Sequence, residues 1–167
     1  MIKKIPNLTS QFKEIVTLIE KAKYNALKSV NTELIRLYWK IGKYISSKLK
    51  TSEWGDLVVE QLAEYIQNTH PDLKGYNKRN LYRMRQFYDT YRDIQIVSPL
   101  LSQISWSHHL LIISKSKTPQ EREFYLKLAI KERYSKRELE RQINSGFYER
   151  SIISNKKIFP VARELIP

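Results

Sequence analysis

The chain contains no cysteine among its 167 residues. This absence excludes a disulfide framework, a thiolate metal site and a cysteine nucleophile, and it fits a reducing cytoplasm. No apolar run approaches the ~20 residues that a membrane-spanning helix needs. Lys13 and Glu14 also interrupt the N-terminal segment where the apolar part of a signal peptide would lie. The sequence therefore predicts a soluble, cytoplasmic protein with no membrane partner.

Glycine and proline are scarce, with four and six residues, which disfavours long irregular loops. Apolar residues recur at helical spacing through most of the chain, and no segment shows sustained strand alternation. We therefore predict an all-α, multi-helix domain over residues 8–150, with a tail or linker over 151–167. The sequence has no glycine-rich phosphate loop and no nucleophile elbow, so no cofactor is expected.

The N-terminal apolar pattern has two parts, 12–26 and 34–49, joined by residues 29–32 without glycine or proline. It predicts either one long helix or an αα-hairpin, with Asn7, Thr9 or Ser10 as the first cap. In the hairpin, Asn31 could cap the second helix. Downstream helices are expected to begin near these cap candidates: Gly55, Asn77, Ser105 or Ser107, Thr118 and Ser135. The last two open capping-box patterns, with Glu121 and Glu138 three residues later.

Acidic residues are few, 17 against 30 basic ones, and the formal charge is +13. Such a basic protein favours a polyanionic partner, most simply nucleic acid, although a basic surface can also serve solubility alone. Between residues 53 and 93 the charges are sorted almost completely by sign, with only Asp89 and Asp93 among the basic residues. The acidic block is Glu53, Asp56, Glu60, Glu64 and Asp72, and the basic block is Lys74, Lys78, Arg79, Arg83, Arg85 and Arg92. A hinge over 69–75 separates them, so the pattern predicts a helix-turn-helix-like unit.

The second helix of that unit has one apolar and one polar side. At about 100° per residue, the apolar side chains fall opposite the polar ones: Leu81, Met84, Tyr88 and Tyr91. Arginine can pair with guanine edges, glutamine with adenine, and a first helical turn favours phosphate. We therefore predict DNA contacts from Asn77, Lys78, Arg79, Asn80, Tyr82, Arg83 and Gln86. The alternative is an ordinary solvated helix, since many surface helices expose such residues.

A second hinge, between a helix ending near Arg133 and one starting at Ser135, is a competing recognition unit. Its exposed side chains are of mixed sign: Lys136, Arg137, Glu140 and Arg141. Carboxylates facing phosphates would be repelled, so the sequence favours the first unit.

Catalytic chemistry finds little support in the sequence. His108 and His109 diverge by about 100° on a helix and cannot chelate one metal well, so a structural role beside Trp106 is expected. Residues 71–74 (PDLK) contain fragments of a nuclease signature. A metal-dependent nuclease, however, needs these groups on neighbouring strands, whereas here they share one turn. No catalytic residue and no metal ligand is predicted.

Several motifs occur in an order that resembles the N-terminal domain of the YhcG family of PD-(D/E)XK nuclease-like proteins. They are 31–34 (NTEL), 38–42 (YWKIG), 80–81 (NL), 84–88 (MRQFY), 101–108 (LSQISWSH), 123–125 (EFY), 135–143 (SKRELERQI) and 147–150 (FYER). The resemblance covers residues 8–151. It implies an all-helical DNA-binding domain, placed ahead of a C-terminal nuclease domain, in a bacterial or mobile-element setting.

The family's nuclease residues have no counterpart in this chain, which ends at Pro167, where the linker should begin. We therefore expect no enzyme activity from it, but a DNA-targeting module whose nuclease domain is supplied in cis or in trans. Two alternatives stay open. The 12–49 pattern could build a homo-oligomer or a protein-interaction module, and basic helices with 11 tyrosines could bind RNA.

Overall fold

The protein is entirely helical in the part of the chain that the computed structural model describes, residues 8–52, 54–94 and 98–154. The helices are α1 (Leu8–Lys50), α2 (Asp56–Thr69), α3 (Lys78–Tyr91), α4 (Ser98–Leu101), α5 (Trp106–Lys115), α6 (Pro119–Glu132), α7 (Lys136–Asn144) and α8 (Phe147–Ile153). No strand forms within those ranges. The prediction of an all-α fold is confirmed.

Helix α1 is one continuous helix of 43 residues, so the long helix is present and the αα-hairpin is not. At about 1.5 Å per residue it is roughly 65 Å long. Asn31, a candidate cap in the hairpin alternative, lies within the helix. Its amide donates to the carbonyls of Ser102 and Ile104, at 3.0 and 3.1 Å. Thr9 and Ser10 also lie inside α1, while Asn7 and the side chains of 8–15 lie outside the described residues.

Helix α3 lies at the centre of the fold and contributes to two apolar clusters. Its buried side chains are Leu81, Met84, Phe87 and Tyr91. Leu81 and Met84 pack with Ile45 of α1 and Val59 of α2. Phe87 and Tyr91 pack with the apolar side chains of α4 to α7. The two clusters pack against the two halves of the buried side of α3. The helix is therefore fixed in the fold, and so is the orientation of its opposite, outer side.

Helices α1 and α3 approach each other closely at Gly42. A Cβ atom added there would lie 2.7 Å from the carbonyl carbon of Met84 and 3.0 Å from Cβ of Tyr88. One turn away, the ring of Trp39 meets those of Phe87 and Tyr88 edge-on, at centroid distances of 5.7 and 4.9 Å. Only glycine leaves room for this helix crossing.

Local capping signals set several of the helix boundaries. Asn77 caps α3, its Oδ1 accepting from the N–H of Asn80 at 2.9 Å. Ser135 and Glu138 form the predicted reciprocal capping box of α7. The predicted box of α6 is only half formed. The Thr118 hydroxyl accepts from the backbone N–H of Glu121, as expected. The Glu121 carboxylate, however, accepts from the N–H of Lys117 at 2.6 Å, one residue before the cap.

The two predicted hinges differ in length. Residues 70–77 connect α2 to α3, whereas only Arg133, Tyr134 and Ser135 connect α6 to α7, with Arg133 left-handed at φ 51°. Helix α8 continues to Ile153, past residue 150, and most of the predicted tail (155–167) lies outside the described residues. The boundary between domain and tail stays a prediction.

Candidate nucleic-acid interface

The predicted DNA-binding residues all lie at the start or on the outer side of α3. Arg79 and Gln86 are exposed, while Tyr82 and Arg83 are half-buried at its flanks. The structure therefore places Arg79, Arg83 and Gln86 together on a rigid helix, on the side away from its core residues. This arrangement follows the helical phasing expected from the sequence. Tyr82, by contrast, packs against the apolar cluster around Met84. Whether the surface contacts nucleic acid stays a prediction.

Side chains in the first turn of α3 already make contacts within the protein. Asn77 serves as the cap, and Asn80 Oδ1 accepts from Arg83 Nη1 at 3.4 Å. Lys78 Nζ lies 2.8 Å from the carboxylate of Glu60 on α2. The sorted charges therefore also join the acidic helix to the basic one across the hinge. This ion pair is half-exposed, so a phosphate can compete with the carboxylate for Lys78.

Asp89 is an acidic residue on the same helix, and its charge is compensated locally. Its carboxylate lies 3.3 Å from Arg85 and 3.7 Å from both Lys50 and Arg92. The hydroxyl of Ser46 also donates to it at 2.6 Å. Arg92 also lies 3.3 Å from Asp93, so three cations face two carboxylates, and this end of α3 keeps a net positive charge that suits a polyanionic ligand.

A cleft of about 410 Å³ opens between α3, α5 and α7. Arg83 and Gln86 line it from α3, Lys115 from α5, and Lys136 and Glu140 from α7. The two hinge units that the sequence presents as competitors therefore contribute to one concave surface. We call this surface, together with the exposed side of α3, the α3–α7 surface.

The carboxylates of α7 do not face the cleft as uncompensated charges. Glu138 is held in the capping box, where the backbone N–H and hydroxyl of Ser135 lower its pKa. Glu140 lies 3.1 Å from Lys115 Nζ. The repulsion that disfavoured α7 on sequence grounds is therefore reduced. Lys136 and Arg137 stay exposed at the start of α7. The capping-box spacing was the sequence signal that Glu138 serves the helix and not the surface.

Neither histidine of the adjacent pair is placed to act on a ligand of the α3–α7 surface. His108 bridges the Ser105 hydroxyl, at 2.6 Å, and the carbonyl of Tyr134, at 2.9 Å. His109 is buried against the rings of Phe87 and Tyr91. Both side chains have structural roles in the packing of α5.

Within residues 8–52, 54–94 and 98–154, no group of three or more His, Cys, Asp and Glu side chains is placed to hold a metal ion. Among the same residues, no helix combines the length and the apolarity needed to cross a membrane.

Comparison with known proteins identifies the family. A protein of Escherichia coli (strain K12) named "Putative nuclease YhcG" is 25% identical to the chain over 177 residues, covering 86% of this chain and 46% of that relative. The chain thus spans about half the length of the curated relative it matches. No solved structure matches it. The family model described as the DUF1016 N-terminal domain matches residues 14–150, and the chain belongs to this family.

Proposed function

We propose that this domain binds duplex DNA through the α3–α7 surface and positions a nuclease domain that is supplied in cis or in trans. The observation that carries the proposal is the outer side of α3, where Arg79, Arg83 and Gln86 project from a helix fixed in the core. The name of the Escherichia coli relative, "Putative nuclease YhcG", supports an association with a nuclease. The relative extends well beyond the region matched here, which leaves room for a catalytic domain.

The chemistry of the α3–α7 surface suits DNA in two respects. A formal charge of +13 attracts phosphates at long range, and compensated carboxylates avoid local repulsion. Arginine and glutamine on a preorganised helix can contact base edges, while Lys136 on the far side of the cleft can contact the sugar-phosphate backbone. Helix α3 would then distinguish DNA sequences, and α7 would fix the orientation of the domain on the duplex.

Replacing both Arg79 and Arg83 with alanine is expected to raise the Kd for duplex DNA at least about thirtyfold, because each arginine contact is worth about 1 kcal/mol or more. Fluorescence anisotropy with a labelled duplex at low salt measures this loss.

The matched control replaces Lys40 and Lys43, exposed on α1, and removes the same two charges. An equal loss of affinity in this control would mean that net charge binds the DNA and that α3 is not the site. If a duplex RNA of the same sequence competes as well as the DNA does, RNA would be the ligand of the α3–α7 surface. Cleavage of DNA by this chain alone with Mg²⁺ would contradict its role as a targeting module.

Replacing Lys136 with alanine tests the part that α7 plays. If Lys136 neutralises one phosphate, the slope of log Kobs against log salt becomes shallower by about 0.9, and the affinity falls equally for all sequences. Titrations of two unrelated duplexes at several salt concentrations measure both effects. An unchanged slope would restrict the DNA site to α3.

A further inference from the structure

The first part of α1 extends away from the rest of the fold and carries large apolar side chains. Every residue from 16 to 30 is exposed. Leu27 and Val30 are 71% and 65% exposed, and Ile19 is 50% exposed. A helix with no packed apolar side is marginally stable, and contiguous apolar surface on a protein marks an interaction site. This segment of α1 therefore needs a partner.

The exposed apolar residues form a stripe along one side of α1. With about 100° between residues, they fall within an arc of roughly 100°. The members of the stripe are Val16, Ile19, Ala26, Leu27, Val30 and Leu37. Its centre lies roughly 120° around α1 from Ile35 and Gly42, which pack on the core. Leu27, at one edge of the stripe, has the same helical angle as the buried Ile45, about five turns further along. Leu37, which is 40% exposed, continues it alongside the folded body. Its length, from 16 to 37, is about 30 Å.

We propose that the stripe binds the same stripe of a second copy of the chain, in an antiparallel two-fold pairing. Lys23 lies within the arc of the stripe and decides the orientation. A parallel pair in register would place Lys23 against Lys23, which is unfavourable. In the antiparallel pair centred near residue 28, Lys23 faces Glu33 of the second copy.

The same register also pairs four of the stripe's six apolar residues, while Val16 and Leu27 face Lys40 and Ser29. Ile19 faces Leu37, and Ala26 faces Val30, so a small side chain lies opposite a larger one and the helices can approach closely. Two-fold symmetry produces each of these pairs twice. Within the chain, Glu33 accepts from Arg36 at 2.9 Å on an exposed surface. Its carboxylate can therefore also accept from Lys23 of the second copy. An apolar stripe does not suit phosphates, so this surface is distinct from the proposed DNA site.

The first test measures the mass of the full chain by sedimentation equilibrium, from micromolar to millimolar concentration. The expected result is a reversible dimer of the 20.0 kDa chain. Val30→Gln should raise its dissociation constant at least about tenfold, because two apolar contacts are lost at once. Leu18→Gln, an equally exposed position on another side of α1, should leave it unchanged. At concentrations where the chain is monomeric, both variants should unfold like the parent, since neither side chain reaches the core.

The second test exchanges the charges. Lys23→Glu and Glu33→Lys should each weaken the dimer at least about fivefold, since two attractive pairs become repulsive. The two substitutions together should restore it. Lys28→Glu makes the same charge change away from the stripe and should have little effect. A monomer at all concentrations, a dimer indifferent to Val30→Gln, or a double variant as weak as the single ones would each overturn the proposal.

Discussion

Replacing Gly42 with valine is expected to lower the free energy of unfolding by about 3 kcal/mol or more. The new Cβ atom would overlap the main chain of Met84, and a main-chain atom in a helix cannot rotate aside as the end of a side chain can. Relief requires α1 and α3 to separate, which opens the apolar cluster around Ile45 and Met84. The better helix propensity of valine offsets only a few tenths of a kcal/mol.

Urea unfolding followed by circular dichroism measures the effect of Gly42→Val. Gly55→Ala is the matched control, because a Cβ atom at Gly55 would meet nothing within 4 Å, and glycine and alanine differ modestly at a cap. The control should remain within about 1 kcal/mol of the parent. A Gly42→Val protein as stable as the parent would show that the two helices can move apart at little cost.

Much of the helical architecture was predictable because the signals that end and begin helices are local. Asn77 and Ser135 cap the helices that their spacing predicts. The choice between one long helix and a hairpin was not local. In the long helix the amide of Asn31 donates to carbonyls that lie more than 70 residues further along the chain, a contact that neighbouring sequence cannot reveal. The capping box at Thr118 is only half formed, because the Glu121 carboxylate accepts from the N–H of Lys117 and not from that of Thr118. Even a strong local pattern can therefore lose one of its two hydrogen bonds to a competing donor.

The candidate site was predictable only as far as helical phasing reaches. Phasing placed Arg79 and Gln86 on the outer side of α3, and the structure agrees. It could not show that Lys78 pairs with Glu60, or that α7 packs beside α3 and shares its cleft. Those contacts depend on tertiary packing between segments that are distant in sequence. The contact with DNA itself stays a prediction for the binding experiments.

His109 makes the stability of the domain depend on pH. The side chain is fully buried, and its Nε2 donates to the carbonyl of Leu101 at 2.7 Å. Its Nδ1 has no hydrogen-bond partner within the described part of the chain. A proton on Nδ1 would therefore be a buried charge without an acceptor. Burial lowers the pKa of His109 from 6.5 to about 4.

The unfolded chain binds this proton at a higher pH than the folded protein does. The stability that neutral His109 contributes is therefore complete above pH 6.5 and is lost as the pH falls from 6.5 towards 4. At about 1.4 kcal/mol per pH unit, the free energy of unfolding should fall by about 2 kcal/mol between pH 7 and pH 5. Urea unfolding at a series of pH values measures this slope.

Two variants separate His109 from the other groups that titrate in this range. His109→Gln keeps a side-chain N–H that can donate to Leu101 but cannot take up the proton, so the loss between pH 7 and pH 5 should shrink by about 2 kcal/mol. His70→Gln, at an exposed position in the α2–α3 hinge, should leave the slope unchanged. If His109→Gln keeps the full slope, the acid sensitivity arises from other groups, and His109 accepts its proton within the folded core.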